Sequence, residues 1–157
     1  MPRVTTAFAA AVALLLPVRG QLLVGLTPAV GIGAGLLSTQ TAYAQNATDL
    51  LNSGLDKAKS GNLKGAIADW TKAIEIYPKY ALAYYNRGLA RRKLGDLKGA
   101  IADYTKAIEL NPKFYQAYTN RGIALEIVGD LKDACRDWKK AVDLGDTRSI
   151  EWVRKQC

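Results

Sequence analysis

Few side chains in this sequence have the types and spacing for chemistry. It holds two cysteines, Cys135 and Cys157, and no histidine. A thiolate is a nucleophile, but without an imidazole Cys135 has no general base of the usual kind. The same absence removes a Ser-His-Asp triad, a histidine-held zinc or haem, and an imidazole pH sensor. Two cysteines are also too few for a zinc knuckle or an iron–sulfur cluster within one chain. The remaining polar candidates recur instead of clustering: Asp69, Asp103 and Asp137 stand 34 residues apart, and so do Asn52, Asn86 and Asn120. No catalytic residue, metal site or cofactor is expected, and the chain does not read as an enzyme. The one Gly-rich run, Gly31-Ile32-Gly33-Ala34-Gly35, is no phosphate loop because it falls in an apolar N-terminal segment.

The elements that carry these residues follow from the repeat. Residues 47–80 and 81–114 are identical at 20 of 34 positions, and both contain Leu-Lys-Gly-Ala-Ile-Ala-Asp, at Leu63 and at Leu97. A third copy begins at Tyr115, with Asn120 to Gly122 echoing Asn86 to Gly88. Such a period marks stacked supersecondary units that bury their apolar faces against one another. Gly61, Gly95 and Gly129 stand where a first helix would end in a left-handed residue. Each is followed by Asn62, Asp96 or Asp130, a good N-cap for a second helix. Leu97, Ala100, Ile101, Tyr104, Ala107 and Ile108 recur at helical spacing. Pro78 and Pro112 then close the second helices. The pattern predicts helices near 47–60, 63–77, 81–94, 97–111, 115–128, 131–144 and 147–156. Small Gly54, Gly88 and Gly122 are expected to face Ala66, Ala100 and Ala134, with Trp70, Tyr104 and Trp138 filling a wider gap one turn on.

The order aromatic, Gly, Gly, Ala, aromatic, Ala, Pro on Tyr84, Gly88, Gly95, Ala100, Tyr104, Ala107 and Pro112 resembles the tetratricopeptide repeat (TPR) family. The resemblance covers essentially all of residues 47–157. It implies an all-α, right-handed superhelical solenoid of three helix-turn-helix hairpins, in repeats 47–80, 81–114 and 115–146, plus a cap helix over 147–157. Asp146 replaces the closing proline of the third copy, and Asp146 or Thr147 would cap the last helix, with Trp152 at the position of Tyr84 and Tyr118. In this architecture the last helix runs beside the one carrying Cys135, so a disulfide from Cys135 to Cys157 is expected if the protein is exported. It would stabilise the cap by roughly 3 kcal/mol in the chain-entropy model. Two independent thiols are the alternative.

The same resemblance places the first helices on a concave face. Its groove positions fall on Leu51, Asn52 and Leu55, on Tyr85, Asn86, Leu89, Arg92 and Lys93, and on Gln116, Thr119, Asn120, Ile123 and Glu126. An amide is both donor and acceptor, so Asn52, Asn86 and Asn120 could hold the backbone of an extended peptide; equally, this asparagine could be a common repeat residue bonded to its neighbour. Some members of the family grip a chaperone's terminal carboxylate with a clamp of lysines, asparagines and an arginine. Here Asn86 matches its middle asparagine, but Leu51, Leu55, Gln116 and Asn120 supply no cation, so that ligand is not expected. Leu51, Leu55, Leu89, Ile123 and Tyr85 suggest a groove for an apolar or amphipathic segment, rimmed by Arg91, Arg92 and Lys93. Asp69, Asp103 and Asp137 read as solvated positions on a convex helix.

Composition shifts sharply near residue 48. Before it there is no acid, and the only basic residues are Arg3 and Arg19. This apolar segment ends in Ala42-Tyr43-Ala44, small residues at the two positions signal peptidase must accommodate, so residues 1–44 are expected to be a signal peptide cleaved between Ala44 and Gln45. Its length exceeds the usual range, which a start at Val18 would resolve; an uncleaved membrane anchor is the alternative. The protein would then be periplasmic or, in a cyanobacterium, in the periplasm or thylakoid lumen. The remaining part carries 20 basic residues against 14 acids. No nucleic-acid partner is expected, since its aromatics are committed to repeat packing and its one dense basic run is Arg91 to Lys93. The reading is a non-catalytic adaptor for a protein or peptide partner, assisting assembly of a membrane complex by analogy, with a self-associating periplasmic module as the alternative.

Overall fold

The computed structural model describes the backbone of residues 31–157 and the side chains of residues 41–157. The first 30 residues of the expected signal segment, Val18 included, lie outside the described residues. Seven helices follow in order: α1 Gly31–Lys59, α2 Leu63–Ile76, α3 Ala81–Lys93, α4 Leu97–Leu110, α5 Tyr115–Ile127, α6 Leu131–Asp143 and α7 Ser149–Gln156. They pair as hairpins α1/α2, α3/α4 and α5/α6, each second helix packing on the next first helix, with α7 closing the stack against α6. The first helices α1, α3 and α5 also touch in sequence and share one face. The architecture is an all-α solenoid.

Local chemistry explains each hairpin. Gly61, Gly95 and Gly129 have φ of 84°, 85° and 88°. The next residue's amide then reaches back to the last turn, Asn62 to the Lys57 carbonyl at 2.8 Å and Asp96 to that of Arg91 at 2.9 Å. The side chains of Asn62, Asp96 and Asp130 accept the amides of Gly65, Gly99 and Asp133 at 2.9, 2.9 and 3.1 Å, caps worth about 1 kcal/mol each. α2 and α4 stop two residues before Pro78 and Pro112, as the pre-proline restriction requires.

Packing corrects the sequence reading in four places. The nearest neighbours of the glycines are the aromatic rings expected one turn on: a Cβ on Gly88 would come within 2.7 Å of Tyr104, and Gly54 and Gly122 meet Trp70 and Trp138 in the same way. Glycine is small there because the ring crosses its helix at backbone distance. Second, Asp69, Asp103 and Asp137 are buried, at 6%, 3% and 3% exposure. A carboxylate survives burial only when paired, and each is. Arg87 takes Asp103 at 3.0 and 2.7 Å, Arg121 takes Asp137 at 2.7 and 2.8 Å, and Ser53 and Lys57 both reach Asp69 at 2.6 Å. Third, Arg91 is no rim residue, since it meets Asp103 at 2.8 Å.

Fourth, the cap helix begins at Ser149, later than expected. Asp146 is buried and draws the turn inward, accepting the hydroxyls of Thr119 at 2.6 Å and Ser149 at 2.8 Å and the amide of Arg148 at 3.2 Å. Trp152 packs on Trp138 with ring centroids 5.5 Å apart, and a disulfide joins Cys135 to Cys157. At the other end α1 runs on past the repeat boundary, so Ala44 and Gln45 lie within a helix. No helix among the described residues is long and apolar enough to cross a membrane.

Candidate peptide-binding groove

The shared face of α1, α3 and α5 divides into an apolar half and a polar half. Between the first two repeats lies a hollow of about 120 Å³, walled by Leu55, Ala58, Leu63, Trp70, Leu89 and Ala90, with Asn86 and Lys93 at its margin. Four of the expected groove residues, Leu55, Asn86, Leu89 and Lys93, meet there. The hollow exists because position 58 is an alanine where the second and third copies carry Arg92 and Glu126.

The polar half is built around Tyr85. Its ring packs between Tyr104 and Phe114, at centroid distances of 6.0 and 4.7 Å, and its hydroxyl accepts the Asn120 amide at 3.2 Å. Asn120 also donates to the Gln116 carbonyl at 2.8 Å. Burial raises the Tyr85 phenol above its ordinary value, against the opposing pull of Arg148 and Arg92. Burial pushes Tyr104 further, to about 12, although Arg92 beside it favours the phenolate.

The expected asparagine ladder is therefore uneven. Asn52 is exposed, Asn86 is nearly buried beside the hollow, and Asn120 is spent on Tyr85 and Gln116. Leu51 belongs to the core beneath the groove, where its carbonyl takes the Trp70 indole at 3.1 Å. Thr119 is buried and bonded to Asp146, so it faces no ligand either. Gln116 and Ile123 are half-buried, Arg92 is half-buried, and Lys93 is exposed. Sequence reasoning missed the Arg–Asp pairs, although a signal was present. Arg87 and Arg121 precede their aspartates by the same 16 residues, as Ser53 precedes Asp69.

Tetratricopeptide repeat models match residues 81–114 and 103–136, and a TPR repeat model matches residues 54–93. The chain belongs to the tetratricopeptide repeat family. The first TPR of Spaghetti (RPAP3), solved with an HSP90 peptide, is 27% identical with a TM-score of 0.69, over 71% of this chain and 90% of that one. The Arabidopsis OM64 TPR domain is 26% identical with a TM-score of 0.68, over 73% of this chain and 99% of that one. The TPR2B domain of yeast Sti1, solved in complex with a pHsp70 ligand, is 26% identical with a TM-score of 0.67, over 71% of this chain and 95% of that one. No curated protein matches the sequence. This TPR chain sets its first helices α1, α3 and α5 side by side.

Proposed function

We propose that this TPR protein is a non-catalytic adaptor of the cell envelope, exported by its N-terminal segment, that holds an extended segment of another polypeptide in its concave groove and assists assembly of a membrane complex. The observation that carries the reading is the hollow bounded by Leu55, Leu89 and Asn86, an apolar recess where α1, α2 and α3 meet. Two of those domains were solved with chaperone peptides. The ligand here is of another kind, because Leu51, Leu55, Gln116 and Asn120 put no cation where a terminal carboxylate would be clamped.

Affinity capture from the native envelope fraction tests this, comparing wild type with the Leu55→Ser, Leu89→Ser double variant after circular dichroism confirms that both are helical. A partner retained by wild type and lost by the variant supports the groove. Equal capture by both moves the binding site elsewhere. The second reading is self-association through exposed Leu94, Ile127, Val128 and Leu131 at the hairpin turns. Sedimentation over a wide concentration range decides it, since a species that stays monomeric overturns it.

A further inference from the structure

Arg91, Arg92 and Lys93 end α3 as a basic run, and the fold pairs only the first of them with carboxylates. Arg91 turns to α4, where it meets Asp103 at 2.8 Å and Asp96 at 3.7 Å. Lys93 turns the other way, to the margin of the apolar hollow. Arg92 lies between them, beside the hydroxyl of the fully buried Tyr104. Its buried Nε and that hydroxyl both lack a hydrogen-bond partner. Among the described residues neither Arg92 nor Lys93 forms an ion pair, whereas Lys57, Arg87, Arg121 and Arg148 each do. Glu126, which occupies Arg92's position one repeat on, does not pair with it.

We propose that the groove selects an extended segment in which a large apolar side chain is flanked by a carboxylate. The apolar side chain fills the hollow against Leu55, Leu89 and Trp70, and the carboxylate lies over Arg92 and Lys93. This deepens the groove reading above and rests on it. Leu89 precedes the two cations by three and four residues, one helical turn, so hollow and charge share one stretch of α3. Neighbouring helices pack about 8–10 Å apart and an extended chain advances about 3.3 Å per residue, which puts the acid within about three residues of the apolar side chain. A half-buried guanidinium without a counter-charge gains more from a carboxylate than a solvated one does, because less water is displaced to reach it. The acid recognised is a side chain within the segment, since these cations lie apart from the positions of a terminal-carboxylate clamp.

The test pans linear octapeptides, displayed with their C-termini fused to the phage coat, against the purified protein. Wild type is expected to enrich Leu, Ile or Phe with Asp or Glu within three residues. Lys93→Gln and Arg92→Gln are expected to keep the apolar preference and lose the acidic one, while Leu89→Asn does the reverse. Lys93 is exposed, so its variant reads the charge without touching the fold. By fluorescence polarisation, replacing Glu with Gln in the best enriched peptide is expected to weaken wild-type binding about tenfold or more and binding to the doubly neutralised protein little. Enrichment without acidic bias, or a bias unchanged in both cation variants, overturns this proposal and leaves the groove reading standing. If no peptide is enriched, or those enriched bind Leu89→Asn as well as wild type, the groove reading falls and this one with it.

Discussion

Arg121 grips Asp137 of its own repeat through Nε at 2.7 Å and Nη2 at 2.8 Å, while Nη1 reaches the Thr105 hydroxyl of the preceding repeat at 3.0 Å. Arg87 does the same with Asp103 and with Thr71 at 3.1 Å. One guanidinium thus ties a hairpin together and ties it to its neighbour. The series ends where the array does, because the corresponding residues are Ser53 in the first copy and Lys155 in the cap helix.

Removing one partner of such a pair strands a buried charge. Asp137→Ala is expected to cost about 3–5 kcal/mol in urea unfolding, and the Arg121→Met, Asp137→Leu double variant distinctly less, since neither charge then remains buried alone. Equal losses in the single and double variants would mean that packing, not charge, sets the cost.

Acid should loosen the cap first at Asp146. Burial raises this carboxyl, but hydrogen bonds from Thr119, Ser149 and Arg148 together more than offset it and hold it below the ordinary value of 3.8. The folded form therefore binds fewer protons than the unfolded one below that value, and stability falls as pH drops through 3.8 toward the folded pKa. Tryptophan fluorescence followed down to pH 2, with Trp152→Phe as the control that separates the cap from Trp70 and Trp138, is expected to change in wild type. In Asp146→Asn the acid-dependent part should be smaller.

Reduction should act on the same element by another route. The disulfide joins the final residue to Cys135, and α7 has only eight residues, too few to hold a helix without tertiary contacts. Dithiothreitol is expected to speed amide exchange in α7 while α1 to α5 stay protected, because repeats depend chiefly on their neighbours. Unchanged exchange in α7 would show that Trp152 and Asp146 suffice to hold it.

Two glycines should fail for different reasons. Gly88→Ala brings a methyl against the Tyr104 ring at 2.7 Å, and an overpacking cost of about 1–3 kcal/mol outweighs the roughly 1 kcal/mol gain in helix propensity. Gly95→Ala meets open space but must hold φ of 85°, with an expected loss of about 1–2 kcal/mol. Pairing each with Tyr104→Leu separates them: the smaller residue should relieve the first and leave the second unchanged.

What the sequence by itself determined is whatever acts within a turn or two of the chain. The 34-residue period, the left-handed glycines, the Asn and Asp caps and the prolines set where six of the seven hairpin and cap helices begin and end to within a residue or two. The beginning of α1 escaped this reasoning: Asn46 stands where a cap would precede residue 47, yet the helix runs through it from Gly31. Only the tertiary structure decided what each polar side chain does. Asp103 on its own helix looks like a solvated residue, and it is buried because Arg87, 16 residues earlier, arches over it. Asn120 resembles Asn52 in its repeat position, yet it is consumed by Tyr85, 35 residues away, while Asn52 stays in solvent with no preceding hairpin among the described residues to supply such a partner. Spacing along one helix states which side chains share a face. Which of them remain for a ligand depends on the neighbour's side chains, which only the stacking of one hairpin on the next brings within reach.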